Sequence, residues 1–495
     1  MNSRSRSLVV ICQMLRFGIM DSVPKDTTLF ELFSGAIETA LEYVRLAETG
    51  KTYIGAHSNW PELRWHENGL PWVTNITSGG PKDYSETIQG SYSTLFGLIS
   101  ESEEPVPDFR KEPRFLELVR YAQTQPRLHR YLMFEKSADF AESRLLGLVG
   151  DLLDRYIHIN RTDKFDREKL SSLYLPIEKY LLDEMLSVKV IVPILFLKFD
   201  FTTFRINKAV SLEKLSDELH LARGWRGRWG DSNNSLVESA ATHALFISGC
   251  SIENCTALGE ERMSIESYPI GTVETFFAAI RTCTHYATGY AEVLALPIGW
   301  ASGYTADLIP ITRISMQSYP PIFEEGAWRD EAPMLALSQA NEIGTTFEGL
   351  LQILETERGR KLHVATNRLN LSSMRTTDED GIIDAMIAIE ALLSDGNQEM
   401  THKVAMRLAA LYKLLDISDP NQIFKEMKDI YKVRSRIVHG GADLDKSRKL
   451  NRDGAEISTV DAALEHLRTA LSTLIKNPVL LDPKTIDSYL LTGKF

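Results

Sequence analysis

Four cysteines in 495 residues, Cys12, Cys250, Cys255 and Cys283, are too few and too scattered for a disulfide framework, which fits a reducing, cytoplasmic setting. Cys250 and Cys255, taken with His243 and His285, show no clean ligand spacing, so buried thiols are expected there and no metal or cofactor is assigned. Long apolar runs are also missing. The longest, Val188–Phe199, is broken by Lys189, Pro193 and Lys198 and is too short to cross a bilayer, so no membrane partner is expected. A basic excess is absent: the net charge of −12 excludes a general nucleic-acid coat or membrane-surface binder. Any polyanion must meet a local basic patch. Residues 1–20 are basic and Ser-rich, but Gln13 and Arg16 break their apolar part and no small-residue cleavage site follows. An untargeted, partly disordered start is expected.

What is present is an ordinary globular composition, 43% hydrophobic and 25% charged, enough for a sizeable core in two or three domains. Residues 1–185 read as mainly helical, from the spacing in Leu29–Glu48 and Phe140–Ile159. Between these lies a loop, Asn59–Asp83, whose Trp60, Trp65 and Trp72 are expected to form a satellite core. Residues 186–340 read as a mixed α/β domain. Val188–Phe199 and Thr203–Leu212 are β-rich and are expected to pair as a hairpin, with Ala241–Ile252 as a further strand and Val273–Leu294 as a helix. Residues 341–495 read as a compact bundle of amphipathic helices: Ile383–Ser394, Thr401–Leu415, Pro420–Gly441 and Ser458–Asn477, with Leu362–Met374 packed on them. The fold class expected is α+β, mostly α.

Two bundle helices carry a charge where the apolar stripe should run. Glu390 lies among Ile383, Met386, Ile387 and Leu393. Arg434 lies among Ile423, Met427, Ile430, Tyr431, Ile437 and Val438, on a helix that opens at Asp419-Pro420 and stops at Gly440-Gly441. A buried carboxylate and a buried guanidinium on neighbouring helices are natural partners, and a structural ion pair fixing the bundle is one reading. His439 offers another. It ends the same helix, where the backbone can leave ideal geometry and the dipole favours imidazolium. Lys425, Lys428, Lys432, Arg434, Arg436, Lys446, Arg448 and Lys449 outnumber Glu426, Asp429, Asp443 and Asp445 in this stretch, giving a basic segment in an acidic protein where a phosphate backbone can dock.

The runs Asp380–Tyr412 and Ile423–Gly441 resemble the Apea-like branch of the HEPN superfamily, all-helical domains that include many RNases of prokaryotic defence systems such as abortive infection. The superfamily's Arg, polar residue, variable positions and His are matched by Arg434, Ser435 and His439. The resemblance covers roughly residues 360–480. It implies a HEPN-type bundle and a metal-independent endoribonuclease leaving a 2′,3′-cyclic phosphate. Arg434 would hold the scissile phosphate, His439 would serve in acid–base chemistry, Ser435 would orient either, and Glu390 would position Arg434. Arg436, Lys432, Lys446 and Arg448 would contact the RNA backbone. A homodimer is implied as well. Toxin members silenced through a Tyr two residues after the His differ from this chain, which has Gly441 there. Some HEPN domains bind nucleotides, RNA or proteins without catalysis, and that is the alternative.

The first 340 residues lie outside this resemblance. Arg223–Gly230 interleaves three Arg with two Trp and three Gly. Such a segment can clamp single-stranded RNA, though a surface loop whose tryptophans cover a sheet is the plainer reading. The acidic N-terminal region is a candidate sensor for a phage-derived or host trigger.

Overall fold

In the computed structural model the described residues are 23–50, 54–76, 79–89, 108–132, 138–225, 235–254, 260–325, 331–396, 399–440, 449–452 and 454–493. The N-terminal part contains helices α1 (Thr27–Thr49), α2 (Pro113–Thr124), α3 (Pro126–Leu132), α4 (Ala138–Asn160) and α5 (Arg167–Leu182). Asp26 caps α1 by accepting from Leu29 N–H, and is itself held by Arg127 and the Tyr121 hydroxyl. Residues read from sequence as loop form a hairpin between α1 and α2: β1 (Trp60–Trp65) and β2 (Pro71–Ile76) run antiparallel from Trp60↔Ile76 to Trp65↔Pro71. Gly69, at a φ of 81°, takes the left-handed position of the turn, which glycine adopts without steric cost. The three tryptophans sit on this hairpin without forming a core: Trp60 and Trp72 are half-buried and Trp65 is exposed.

A six-stranded antiparallel sheet follows: β3 (Met185–Ile194), β4 (Thr203–Arg205), β5 (Val210–Lys214), β6 (His243–Glu253), β7 (Tyr290–Pro297) and β8 (Thr312–Ser318), in spatial order β4-β5-β6-β3-β7-β8. Helices α6 (Asp217–Gly224) and α7 (Ile270–Cys283) lie between strands in the chain. The expected pairing of β3 with Thr203–Leu212 does not occur. β3 pairs with β6 and β7, while Thr203–Leu212 folds on itself as β4–β5. The reason is local: Asn207 Oδ1 accepts from Ala209 and Val210 N–H and closes an Asx turn inside the segment. Likewise the helix expected over Val273–Leu294 ends at Cys283, and β7 begins at Tyr290. From Val190 on, β3 is buried on both faces, its period-2 alternation sending Val190, Val192 and Ile194 into the main core and Ile191 into a smaller second one with Leu70, Leu215 and Phe246.

The C-terminal part contains α8 (Leu337–Leu354), α9 (Gly359–Ser372), α10 (Asp378–Leu393), α11 (Met400–Leu415), α12 (Pro420–Val438), a two-stranded ribbon β9 (Lys449–Arg452) and β10 (Ala455–Ser458), α13 (Thr459–Lys476) and α14 (Pro483–Thr492). α10 lies at its centre, touching α9, α11, α12 and α13. Thr377 caps it, Asp378, Glu379 and Asp380 complement its positive end, and Ile382, Ala385, Met386, Ile389, Leu392 and Leu393 are buried. Each large apolar side chain so buried contributes about 1.5–3 kcal/mol. One continuous core cluster runs from Leu29 to Ile486. No helix among the described residues is long and apolar enough to cross a membrane.

Candidate functional site

α12 starts and stops where its sequence says. Asp419 accepts from Asn421 N–H, Pro420 occupies the first turn, and His439 N–H closes on the Ser435 carbonyl at 3.1 Å before Gly440 turns the chain at a φ of 65°. Its buried face is the expected one as far as Tyr431 and departs from it in the last turn. Ile423, Glu426, Met427, Ile430, Tyr431 and Val433 are buried, Ile437 is half-buried and Val438 is exposed. From Arg434 onward the last turn reaches past its neighbours. The charge at the centre of the buried face is Glu426, and Arg434 sits at its rim.

Glu426 is 3% exposed and is tied on every side. Arg452 of β9 donates to both its oxygens at 2.9–3.2 Å, Gln422 donates at 3.0 Å, and His466 Nε2 of α13 lies 3.3 Å away. The other nitrogen of His466 meets the Tyr412 hydroxyl of α11 at 2.8 Å. Burial raises the Glu426 pKa, but His466, Arg452 and Gln422 outweigh it and hold the carboxyl at about 2. Arg407 on α11, fully buried, forms a second knot: it donates to Asp487 at 2.8 and 2.7 Å, to Asp395 at 3.1 Å and to the Leu393 carbonyl at 2.7 Å. These two networks fasten α11, α12, α13 and α14 to one another.

The predicted site residues divide on this frame. Arg434 Nη2 stands 4.0 Å from Glu390 Oε2, their side chains 34% and 18% exposed, so the two are paired in charge without a hydrogen bond. The Tyr431 hydroxyl beside them and Arg434 Nε are buried and have no hydrogen-bond partner among the described residues. Burial, and then the adjacent Glu390 carboxylate, push the Tyr431 phenol far above its ordinary range. Ser435, Arg436 and His439 are exposed. Lys432 is exposed and paired with Asp429 at 2.7 Å. The structure therefore brings together Glu390, Tyr431 and Arg434, and leaves Ser435, Arg436 and His439 on the open surface of the same helix end. Lys446, Arg448 and Gly441 lie outside the described residues. Tyr431, expected only as part of the apolar stripe, sits three residues before Arg434 and thus beside it on the helix.

The other sequence candidates resolve differently. Arg223 is buried, donating to Glu292 Oε1 at 2.5 Å and to the Glu238 carbonyl, so it serves the sheet and cannot clamp a strand of RNA; residues 226–230 of that motif lie outside the described residues. His243 meets the Phe201 carbonyl at 2.6 Å and the Thr242 hydroxyl at 3.0 Å, and Cys250 and Cys283 are half-buried thiols. Cys12 and Cys255 lie outside the described residues. Among the described residues, donors at ligating separation are grouped at His57, Asp154 and His158. Comparison with protein-family models, curated proteins and solved structures finds no match.

Proposed function

We propose that the chain is a metal-independent endoribonuclease of the HEPN type, acting in prokaryotic antiviral defence, with its site at the end of α12. The observation that carries this reading is the state of Arg434. Its guanidinium is held at the bundle rim 4.0 Å from Glu390, yet its buried Nε makes no hydrogen bond among the described residues. A positioned, partly unspent cation is what a scissile phosphate needs, because a preorganised donor stabilises developing charge without having to reorganise. Glu390 and the packed Tyr431 stem hold it in place. His439, exposed at the helix terminus, would exchange protons with the ribose 2′-hydroxyl or the leaving 5′-oxygen, giving a 2′,3′-cyclic phosphate and a 5′-hydroxyl. Ser435 would orient either group. Lys432, Arg436, Lys446 and Arg448 would supply salt-dependent contacts along the backbone. Arg434 and His439 lie five residues apart, a rotation of roughly 140° beyond one turn on a regular helix, so a homodimer that brings two such ends together completes the site in this reading.

A second reading draws on the same charge pair: Glu390 and Arg434 fix the bundle, and the exposed basic end binds RNA or a partner without cutting it. The experiment that separates them is cleavage of a labelled RNA by wild type, Arg434→Lys and His439→Ala. The nuclease reading expects cleavage by wild type alone. Binding without cleavage in all three supports the second.

A further inference from the structure

We infer that His57, Asp154 and His158 form a binding site for a divalent first-row transition-metal ion of the Zn2+ type. Asp154 and His158 lie one turn apart on α4, which places both side chains on one face. His57 comes from the segment before β1, pinned over that face by its N–H on the Pro81 carbonyl and by Asp83 N–H on the Gly55 carbonyl. One donor atom from each of the three residues falls within 4.8 Å of the others. His57 Nε2 is 2.9 Å from Asp154 Oδ2, and His158 Nε2 is 3.3 Å from the other oxygen, Oδ1. Ligands at about 2.0–2.1 Å around a tetrahedral Zn2+ stand roughly 3.3 Å from one another, so a carboxylate flanked by the two imidazoles closes on an ion by drawing the donors in from their 4.8 Å envelope. The Lys82 carbonyl oxygen, 2.8 Å from His158 Nε2, is a further oxygen donor beside the group.

The surroundings fit the same chemistry. Asp154 also accepts from the backbone N–H groups of Tyr84 at 3.0 Å and Ala306 at 2.8 Å, which fixes the plane of its carboxylate. His57 turns its other nitrogen, Nδ1, toward Asp83 Oδ2 at 3.6 Å. Asp83 is oriented in turn by the Ser85 backbone and hydroxyl. A carboxylate behind a ligating imidazole fixes the tautomer that offers its lone pair to the metal. Two imidazoles with one carboxylate select zinc or its neighbours over Mg2+ and Ca2+, which take oxygen ligands. Asp154 and His158 are buried and the His57 side chain is 12% exposed, so an ion enters past His57. Asp151, one turn earlier on α4, lines an open cavity of about 220 Å³ with Ala222, Trp225, Tyr304 and Leu308.

The competing account is a metal-free hydrogen-bond knot that ties three chain segments to α4. The test uses the full chain, stripped with chelator and dialysed against buffered Zn2+. The expected result is retention of about one Zn2+ per chain. Co2+ in its place should give visible d–d bands of a low-coordinate nitrogen and oxygen site, with no thiolate charge-transfer band. His57→Gln and His158→Gln should each weaken Zn2+ binding by more than about tenfold, and Asp83→Asn, which touches no ligand atom of the ion, by about 10–100-fold. Zn2+ should raise the melting temperature of wild type. Failure of wild type to hold stoichiometric Zn2+, a thiolate band with Co2+, or binding unchanged in folded His57→Gln and His158→Gln would overturn the assignment. The wild-type stoichiometry and spectrum decide the matter even where a variant does not fold, and neither depends on RNA cleavage.

Discussion

Replacing Glu426 by Gln removes the charge at the centre of the α12 face while keeping its shape. The carboxyl falls from an ordinary 4.5 to about 2 in the folded chain. At about 1.36 kcal/mol per pH unit, that difference corresponds to about 3 kcal/mol of folded-state stabilisation at neutral pH. The sign follows from the lowered pKa. The contribution is fully present above pH 4.5, shrinks as the pH falls, and is lost once the folded carboxyl protonates near pH 2. Gln keeps one acceptor for Arg452 but leaves that guanidinium without its buried counter-charge. Urea unfolding of wild type and Glu426→Gln, run in parallel from pH 7 to pH 3, isolates the effect, because the other titrating groups are common to both. The expected gap is about 3 kcal/mol at pH 7 and narrows steadily below pH 4.5. A gap under about 1 kcal/mol at neutral pH, or one that does not change with pH, would refute the claim that Glu426 is the charge that holds α12.

Arg407→Met should lower stability by about 3 kcal/mol or more, since Asp487, Asp395 and the Leu393 carbonyl all lose this buried donor; a loss near zero in chemical denaturation would mean that the knot contributes no net stability. Glu390→Gln should cost under about 1 kcal/mol, because its partner is 4.0 Å away and one-third exposed; a loss of several kcal/mol would restore the tightly buried pair expected from sequence. Arg436→Ala should weaken RNA binding at low salt and flatten its salt dependence while leaving the saturated cleavage rate nearly unchanged. A large fall in that rate would move the chemical role from Arg434 to Arg436.

The bundle helices are legible from their period, and α12 most of all because period, cap and stop agree there. Asp419-Pro420 and Gly440 bracket α12 in the sequence as they do in the fold. What periodicity could not show is where a helix outruns its neighbours. Glu426 and Arg434 are both flanked by Ile and Met at helical spacing, and only the packing of β9 and α13 puts one inside and the other at the rim. Strand composition identified β3 and β6, but pairing depends on partners distant in the chain, and the Asn207 turn that closes β4 on β5 was read as part of a strand. The β1–β2 hairpin had its signal in Asn68-Gly69, masked by the tryptophans around it. Asp154 and His158 announce themselves as an i,i+4 pair, but His57, nearly a hundred residues earlier, reaches them only through the backbone ties at Gly55 and Pro81.

In the proposed function Arg434 and His439 perform chemistry on RNA, and single-turnover cleavage of an end-labelled RNA at saturating enzyme, with product ends identified, reads that chemistry. The expected result is a 2′,3′-cyclic phosphate from wild type, loss of nearly all cleavage in folded Arg434→Lys, because lysine cannot reproduce the bidentate fork, and loss in folded His439→Ala. Wild type that binds RNA without cutting it, or an Arg434→Lys variant that cuts at the wild-type rate, would contradict the claim.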